Sequence, residues 1–368
     1  MDKVRFAVIG LGMMGIQHCK RTAAHPKAEL VEVVDSVEDK ARKVAEEYGC
    51  RASSDPIDVC SRDDVDAVMI VVPHYAHPEI TIAACENEKH IFCEKPIAVT
   101  PSQADVMVDA VKGSSVVFGV DYQMRASEPV QKLRNLIRSG ELGKVHRVDM
   151  RYASLRPEHY YTMGEWRGTW AGEGGGVTLN QGTHPIDVFQ WIFGQPVELL
   201  ASAQTYLHHI STEDTASAIV RFEDGAHGYI HVSTCEYPEN FRFDIYCDKA
   251  RVISEDTKVR IGRFASAVSE GLNEKDNWRP AGVEWEEIET PRIGWGNHDG
   301  ILDDFIAAVL EDRPPLSTVE DALRSLEITN AIILSAKKHK AVSLPIDRDE
   351  YDELLADLVQ QEREGKSG

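Results

Sequence analysis

"VIGLGMMG", residues 8 to 15, limits what this chain can fold into more than any other stretch. The apolar run "RFAVIGLG" ends in Gly10 and Gly12, Gly15 follows, and residues 13 to 24 read as a helix. A G-x-G-x-x-G string is weak evidence alone. Between a strand and a helix it is the turn of a dinucleotide-binding βαβ unit. Gly10 permits the tight turn, Gly12 lets the backbone approach a pyrophosphate, and Gly15 lets helix and strand pack closely. The helix start then offers free N–H groups and a positive dipole end to the phosphates. Cofactor contacts are expected at Gly10, Leu11, Gly12, Met13, Met14 and Gly15. The next strand, "AELVEVVD", closes on Asp35. A carboxylate there accepts both ribose hydroxyls and repels a 2′-phosphate. Neither Ser36 nor Val37 supplies a cation, so NAD is expected over NADP, with Ser36 beside the ribose.

The first 122 residues go on alternating strand and helix. "DAVMIVVP" is the continuous apolar run of a central parallel strand, and "PEITIAACENEK" and "SQADVMVDAVKG" are helices. This predicts a doubly wound parallel sheet over residues 1–122, a Rossmann domain. Beyond Tyr122 the pattern changes. "LLASAQTYL", "TASAIVRFE", "AHGYIHVSTC" and "RFDIYCDKARVISE" alternate as half-buried strands, with amphipathic helices before and after them. Residues 123–368 are therefore expected to form an α+β domain with an open, mostly antiparallel sheet.

Two segments fall where later parallel strands end, the place where ligands collect in such sheets. "VVPHYAH" puts Pro73, His74 and His77 there; "FCEKPIA" puts Glu94 and Lys95 there. A partly buried Lys95 loses some of its preference for the charged form and is readied for proton traffic. In the second domain, "GGGVTLNQGTHPID" spaces Asn180, His184 and Asp187 four and three residues apart. That spacing would share one helical face. Just before it, "RPEHYYTMGEWRGTW" carries Tyr160, Trp166 and Arg167, whose rings and fork suit sugar faces, hydroxyls or an anionic group.

Composition closes off other classes. The net charge is −21, which argues against nucleic acid or an anionic membrane as partner. No apolar run suggests a membrane span, and the opening residues lack the parts of a signal peptide. Seven scattered cysteines without a C-x-x-C fit reduced thiols in a cytoplasm, with no metal site expected.

"VIGLGMMG", "HIFCEKPIAVT", "GELGKV", "GGGVTLNQGTHPIDVFQWIFG" and the C-terminal "DDFIAAVLEDRPPLSTVEDALRSLEITNAI" together resemble the glucose–fructose oxidoreductase/inositol dehydrogenase (Gfo/Idh/MocA) family over nearly the whole chain. The resemblance implies hydride transfer between NAD and a secondary hydroxyl of a sugar, sugar derivative or cyclitol. Lys95 is implied beside the nicotinamide, His184 as the acid/base, and Tyr122 and Arg125 near the nicotinamide. Asp187 would bind substrate or orient the His184 ring. It also implies a homodimer or homotetramer assembled through the open sheet. Asn180 departs from the Asp that many polyol-oxidising members carry there. Asn cannot relay a proton, and the N-Q-x-x-H form resembles a subset acting on glycosides and nucleotide sugars. Two alternatives use the same parts: a glycosidase working by transient oxidation, elimination and re-reduction, and a non-catalytic nucleotide-binding regulator.

Overall fold

Five mainly apolar runs and one short exposed edge triplet become the strands of one sheet: β1 (Val4–Ile9), β2 (Ala28–Val34), β3 (Arg51–Ser53, the edge triplet), β4 (Ala67–Ile70), β5 (His90–Cys93) and β6 (Phe118–Val120). Every neighbouring pair is parallel, in the order β3-β2-β1-β4-β5-β6. All of β4 is buried, as a strand covered on both faces must be. Helices α1 (Met13–Ala24), α2 (Glu38–Tyr48), α3 (His77–Glu86) and α4 (Pro101–Lys112) make the crossovers. The strand order reverses between β1 and β4, so the glycine turn after β1 lies at the switch point of a Rossmann sheet.

The computed structural model describes residues 2–255, 258–272, 282–289 and 296–365. The chain divides into two units, Met1–Gln123 with Asn297–Leu326, and Met124–Gly296 with Glu327–Gly368. The second contains α5 (Glu128–Arg138), β7 (Val145–Ala153), α6 (Glu158–Thr162), α7 (Thr183–Phe193), β8 (Glu198–Gln204), β9 (Thr215–Arg221) and β10 (His227–Ser233). It continues with β11 (Asn240–Cys247), β12 (Ala250–Glu255), β13 (Lys258–Phe264), α8 (Val268–Gly271) and β14 (Val283–Glu289). After α9 (His298–Glu311) come α10 (Val319–Lys338), β15 (Val342–Ser343) and α11 (Arg348–Arg363).

Among the described residues its nine strands run β14-β13-β12-β11-β7-β10-β9-β8-β15. Of these, only β7 and β10 pair in parallel; the other described ladders are antiparallel. The alternation in β9, buried at Ala216, Ala218 and Val220, turns one face inward. Helix α7 covers part of that face: a Cβ on Gly228 of β10 would lie 3.1 Å from the Phe189 ring.

A single cut at residue 122 assigns everything after it to the second domain. The structure instead returns Asn297–Leu326 to the nucleotide-binding unit. The reason is apolar: Phe305 of α9 packs against Phe6 and Phe92, with ring centroids 6.1 and 5.2 Å away. Gly119 of β6 leaves the room for it, since a Cβ there would meet the ring at 2.7 Å.

Candidate active site

The glycine turn is built as its spacing implies. Gly10 has φ +95°, and a Cβ on it would meet the Val71 carbonyl oxygen at 2.3 Å. A Cβ on Gly15 would strike the Gly10 carbonyl oxygen at 1.9 Å, so only hydrogen lets α1 approach the turn. Nothing lies within 4 Å of the corresponding position on Gly12, whose backbone is open to a ligand. Met13 is two-thirds exposed at the helix start. Asp35 Oδ2 accepts from the Leu11 N–H at 3.0 Å and Oδ1 from the Val37 N–H at 3.0 Å. Burial pushes its proton affinity up, but Lys40 at 2.9 Å and these N–H donors outweigh it and hold the carboxyl below the usual range. Ser36 and Pro73 are exposed, and His74 is half-buried in the turn that precedes α3.

Lys40 is the cation that inspection of Ser36 and Val37 did not find. It comes from the first turn of α2 and is neutralised by Asp35. Asp35→Ala therefore removes a repulsive charge and releases an ammonium at once. The expected result is a shift of the NAD/NADP affinity ratio toward NADP by tenfold or more, roughly 1.4 kcal/mol. Titration of both nucleotides against both proteins reads it, and an unchanged ratio removes the role given to Asp35.

His77 does not have the role expected for it. It is wholly buried, with Nε2 2.9 Å from the Val72 carbonyl and Nδ1 3.1 Å from the Ile97 carbonyl. It ties two strand-end loops together, and burial drives its pKa down. Glu94 and Lys95, by contrast, interrupt a run from Ile91 to Pro101 that is otherwise buried. The Lys95–Pro96 peptide is cis. Tyr122 is 1% exposed, a core residue rather than a ligand contact.

In the second unit the expected helical face is broken. Helix α7 begins at Thr183, so Asn180 lies in the preceding turn, whose backbone is strapped elsewhere. Val177 N–H donates to the Glu213 carbonyl at 2.8 Å, and a Cβ on Gly176 would reach that oxygen at 1.8 Å. The buried Glu213 carboxylate accepts from Gly176 N–H, Thr178 N–H and Thr178 Oγ1 at 2.9, 3.1 and 2.5 Å. Burial raises its pKa against these donors. The glycines are thus the space in which this turn meets the chain before β9.

Asp187 is not available to substrate either. It lies on α7 with 1% exposure and takes both prongs of Arg125, itself wholly buried, at 2.7 and 2.6 Å. Trp191 stacks against the same guanidinium at 5.1 Å. Two residues expected at the site, Arg125 and Asp187, thus satisfy each other. His184 is the exception on this helix. Of the ten residues from Thr183 to Ile192, it alone is not buried.

The aromatic stretch converges on one oxygen. The Tyr160 hydroxyl accepts from Arg167, from Asn180 Nδ2 at 3.2 Å and from Gln181 Nε2 at 2.9 Å. The Arg167 guanidinium lies 4.4 Å from the ring centroids of both Tyr160 and Trp166. Asn180 also donates to Glu173, whose other oxygen accepts the Gly168 N–H at 2.7 Å. Trp170 is buried, whereas Tyr160, Trp166, Arg167 and Asn180 all keep partial exposure. This is a preorganised polar platform with aromatic faces, of the kind that positions sugars.

Models of two domains match the chain: an oxidoreductase family with an NAD-binding Rossmann fold over residues 4–122, and the GFO/IDH/MocA C-terminal domain over residues 130–253. The chain belongs to the Gfo/Idh/MocA family. As a member it is an oxidoreductase that binds NAD. It is 26% identical over 350 residues to myo-inositol 2-dehydrogenase of Thermotoga maritima, covering 93% of this chain and 98% of that one. It is 27% identical over 361 residues to scyllo-inositol 2-dehydrogenase (NAD(+)) of Bacillus subtilis, covering 94% and 98%. The WlbA dehydrogenase of Bordetella pertussis, solved with NADH and UDP-GlcNAcA, superposes with TM-score 0.78 at 27% identity, covering 94% and 100%.

Several residues of this Gfo/Idh/MocA chain escaped the sequence reading. Glu173 and Glu213 fix the turns on which Asn180 and His184 depend, yet neither belongs to a motif. Among the described residues no helix is long and apolar enough to cross a membrane. All seven cysteines are free.

Proposed function

We propose that this NAD-dependent oxidoreductase moves a hydride between the cofactor and a secondary hydroxyl of a sugar, sugar derivative or cyclitol, with His184 as acid/base. The observation that carries this reading is the exposure of His184 on a helix that is otherwise buried up to Phe193. The residues present fit the cofactor: the open backbone of Gly12 would face the pyrophosphate and Asp35 the adenosine ribose. NAD, when bound, supplies the hydride acceptor. Hydride leaves a carbinol carbon only as its hydroxyl proton leaves. An imidazole with a pKa near neutrality is suited to take that proton, and an ammonium such as that of Lys95 is suited to stabilise a developing alkoxide.

Tyr160, Trp166, Arg167 and Asn180 would hold the sugar. Asn180, held by Glu173, offers hydrogen bonds and no proton relay. The guanidinium fork between two rings favours a sugar with an acidic substituent, and the relative solved with UDP-GlcNAcA supports that choice. The test is a panel of inositols, hexoses, uronates, nucleotide-linked uronates and glycosides with NAD, followed at the NADH absorbance. One NADH per product is the expected stoichiometry. Glycoside cleavage without net NADH replaces this reading with the elimination chemistry.

The second unit's sheet supports self-association. Leu200 of β8 and Ile219 of β9 pair directly, are 50% and 60% exposed, and are joined by Tyr229 across the next ladder. Apolar side chains in a row on a sheet face mark a surface that another subunit covers. Light scattering at micromolar concentration should give a dimer or tetramer, and Leu200→Asp with Ile219→Asp should lower that mass; a parent monomer removes this proposal. The free thiols support a reducing compartment such as the cytoplasm.

A further inference from the structure

Gly15 lets α1 close on the sheet, and one turn later His18 faces the strand ends from the same buried face. His18 is 1% exposed, and its ring meets the edge of Phe92 at 5.8 Å. Its Nε2 lies 2.9 Å from Glu94 Oε1 and 3.5 Å from Asp121 Oδ2. A ring nitrogen facing two carboxylates carries the proton, so His18 Nε2–H donates to Glu94 while Asp121 stands by at 3.5 Å. Its Nδ1 is buried without a partner among the described residues.

The chain of contacts extends both ways. The other Glu94 oxygen, Oε2, accepts the Lys95 backbone N–H at 3.2 Å. Asp121 Oδ2 also lies 2.8 Å from His298 Nδ1, at the start of α9. Asp121 is itself fixed by its N–H donating to the Cys93 carbonyl at 2.9 Å. Four side chains from α1, the end of β5, the end of β6 and the start of α9 thus form one row, hydrogen-bonded at His18–Glu94 and at Asp121–His298 and joined by the 3.5 Å approach of His18 to Asp121, with its inner end at the Lys95 backbone. All belong to the nucleotide-binding unit.

We propose that His18 is a positioning residue for Lys95: its Nε2–H holds in place the Glu94 carboxylate that takes the Lys95 backbone N–H, with Asp121 and His298 on the other side of the imidazole. The proposal rests on the reading that Lys95 serves the substrate oxygen. Without the His18 donor, Glu94 is a carboxylate at a buried strand end beside an ammonium. It would either take up a proton or turn toward Lys95, and each displaces the cation from its work. Burial works to raise the Glu94 pKa, but His18, Lys95 and His298 together hold it far below the usual range. Asp121 raises the pKa of His298 against the burial that lowers it. The titratable groups facing Glu94 are His18 of α1, Asp121 beyond β6, His298 of α9, His77 of α3, and Cys93 and Lys95 beside it, with Arg21 acting on His298.

The test compares His18→Phe, which keeps the aromatic contact and loses the donor, with His18→Gln, which restores a donor, and with Glu94→Gln. Misplacing a reacting group by about an ångström costs on the order of 10²-fold in rate. His18→Phe should therefore lower kcat about 10- to 100-fold with KM for NAD changed by less than about threefold. Glu94 then titrates at higher pH, so the acid limb of kcat should move up by a unit or more. His18→Gln should recover most of the rate and return the limb. Lys95 is also read without catalysis, by its acetylation with acetic anhydride against pH, quantified on the Lys95 peptide by mass spectrometry. Glu94→Gln removes an anion beside the ammonium, so the Lys95 titration should fall by about one unit. An unmoved acid limb in His18→Phe together with the same Lys95 titration in all three variants as in the parent overturns the proposal. Lys95→Ala at parent turnover would instead refute the role of Lys95 while leaving the labelling result to judge the row of contacts.

Discussion

His184→Ala is expected to lower turnover by about 10² to 10⁴ while NAD binds as before. Removing a positioned acid/base costs about that much, and the residues of the glycine turn and Asp35 are untouched. Lys95→Ala should fall in the same range, because an ammonium aimed at a developing oxyanion acts in the transition state. Stopped-flow measurement of NADH formation, with NAD affinity measured separately, distinguishes a lost chemical step from lost cofactor binding. Near-parent turnover in His184→Ala would move the base elsewhere, and Tyr160 is the next candidate. Asn180→Asp is a finer probe: a severalfold gain would mean that the site can use a carboxylate–imidazole relay after all.

Asp187→Ala should damage the protein for a different reason. It leaves the Arg125 guanidinium, wholly buried, without the carboxylate that takes both its prongs. Breaking a buried pair from one side costs about 3–5 kcal/mol. For a unit of this size that corresponds to a Tm lower by roughly 6–20 °C. Arg125→Ala should do the same, and an Arg125→Met, Asp187→Leu pair should recover much of the loss, since no charge is then stranded. Calorimetry on the three variants reads the effect. A variant that melts like the parent but has a raised substrate KM would return Asp187 to the substrate, as its place near His184 in the sequence first suggested.

These two predictions mark where the sequence was legible. The glycine turn could be read because its requirements are local: a positive φ at Gly10 and hydrogen-only contacts at Gly15 are met within a few residues. The helix after it and the burial of β4 follow from the same short-range periodicity. The Asn180–His184–Asp187 spacing misled because helical periodicity assumes an unbroken helix. The turn at 176–178 is instead held by Glu213, far along the chain and identified by no motif. Asp187 has the composition of a ligand and the surroundings of a core residue, and only the distant Arg125 decides between them. Lys40 was missed for a related reason. The cation beside Asp35 comes from the first turn of the following helix rather than from the residues adjacent to Asp35.

The return of Phe305 to the first sheet has a consequence for biosynthesis. On the ribosome, β1 to β6 emerge about 180 residues before the ring that fills the space at Gly119 and packs on Phe6 and Phe92. At roughly 5–20 residues per second, that interval is about 10–40 s. During it the nascent nucleotide-binding sheet carries an open apolar site between two phenylalanines. That surface stays open until α9 arrives, which makes residues 297–326 a late clasp on the sheet.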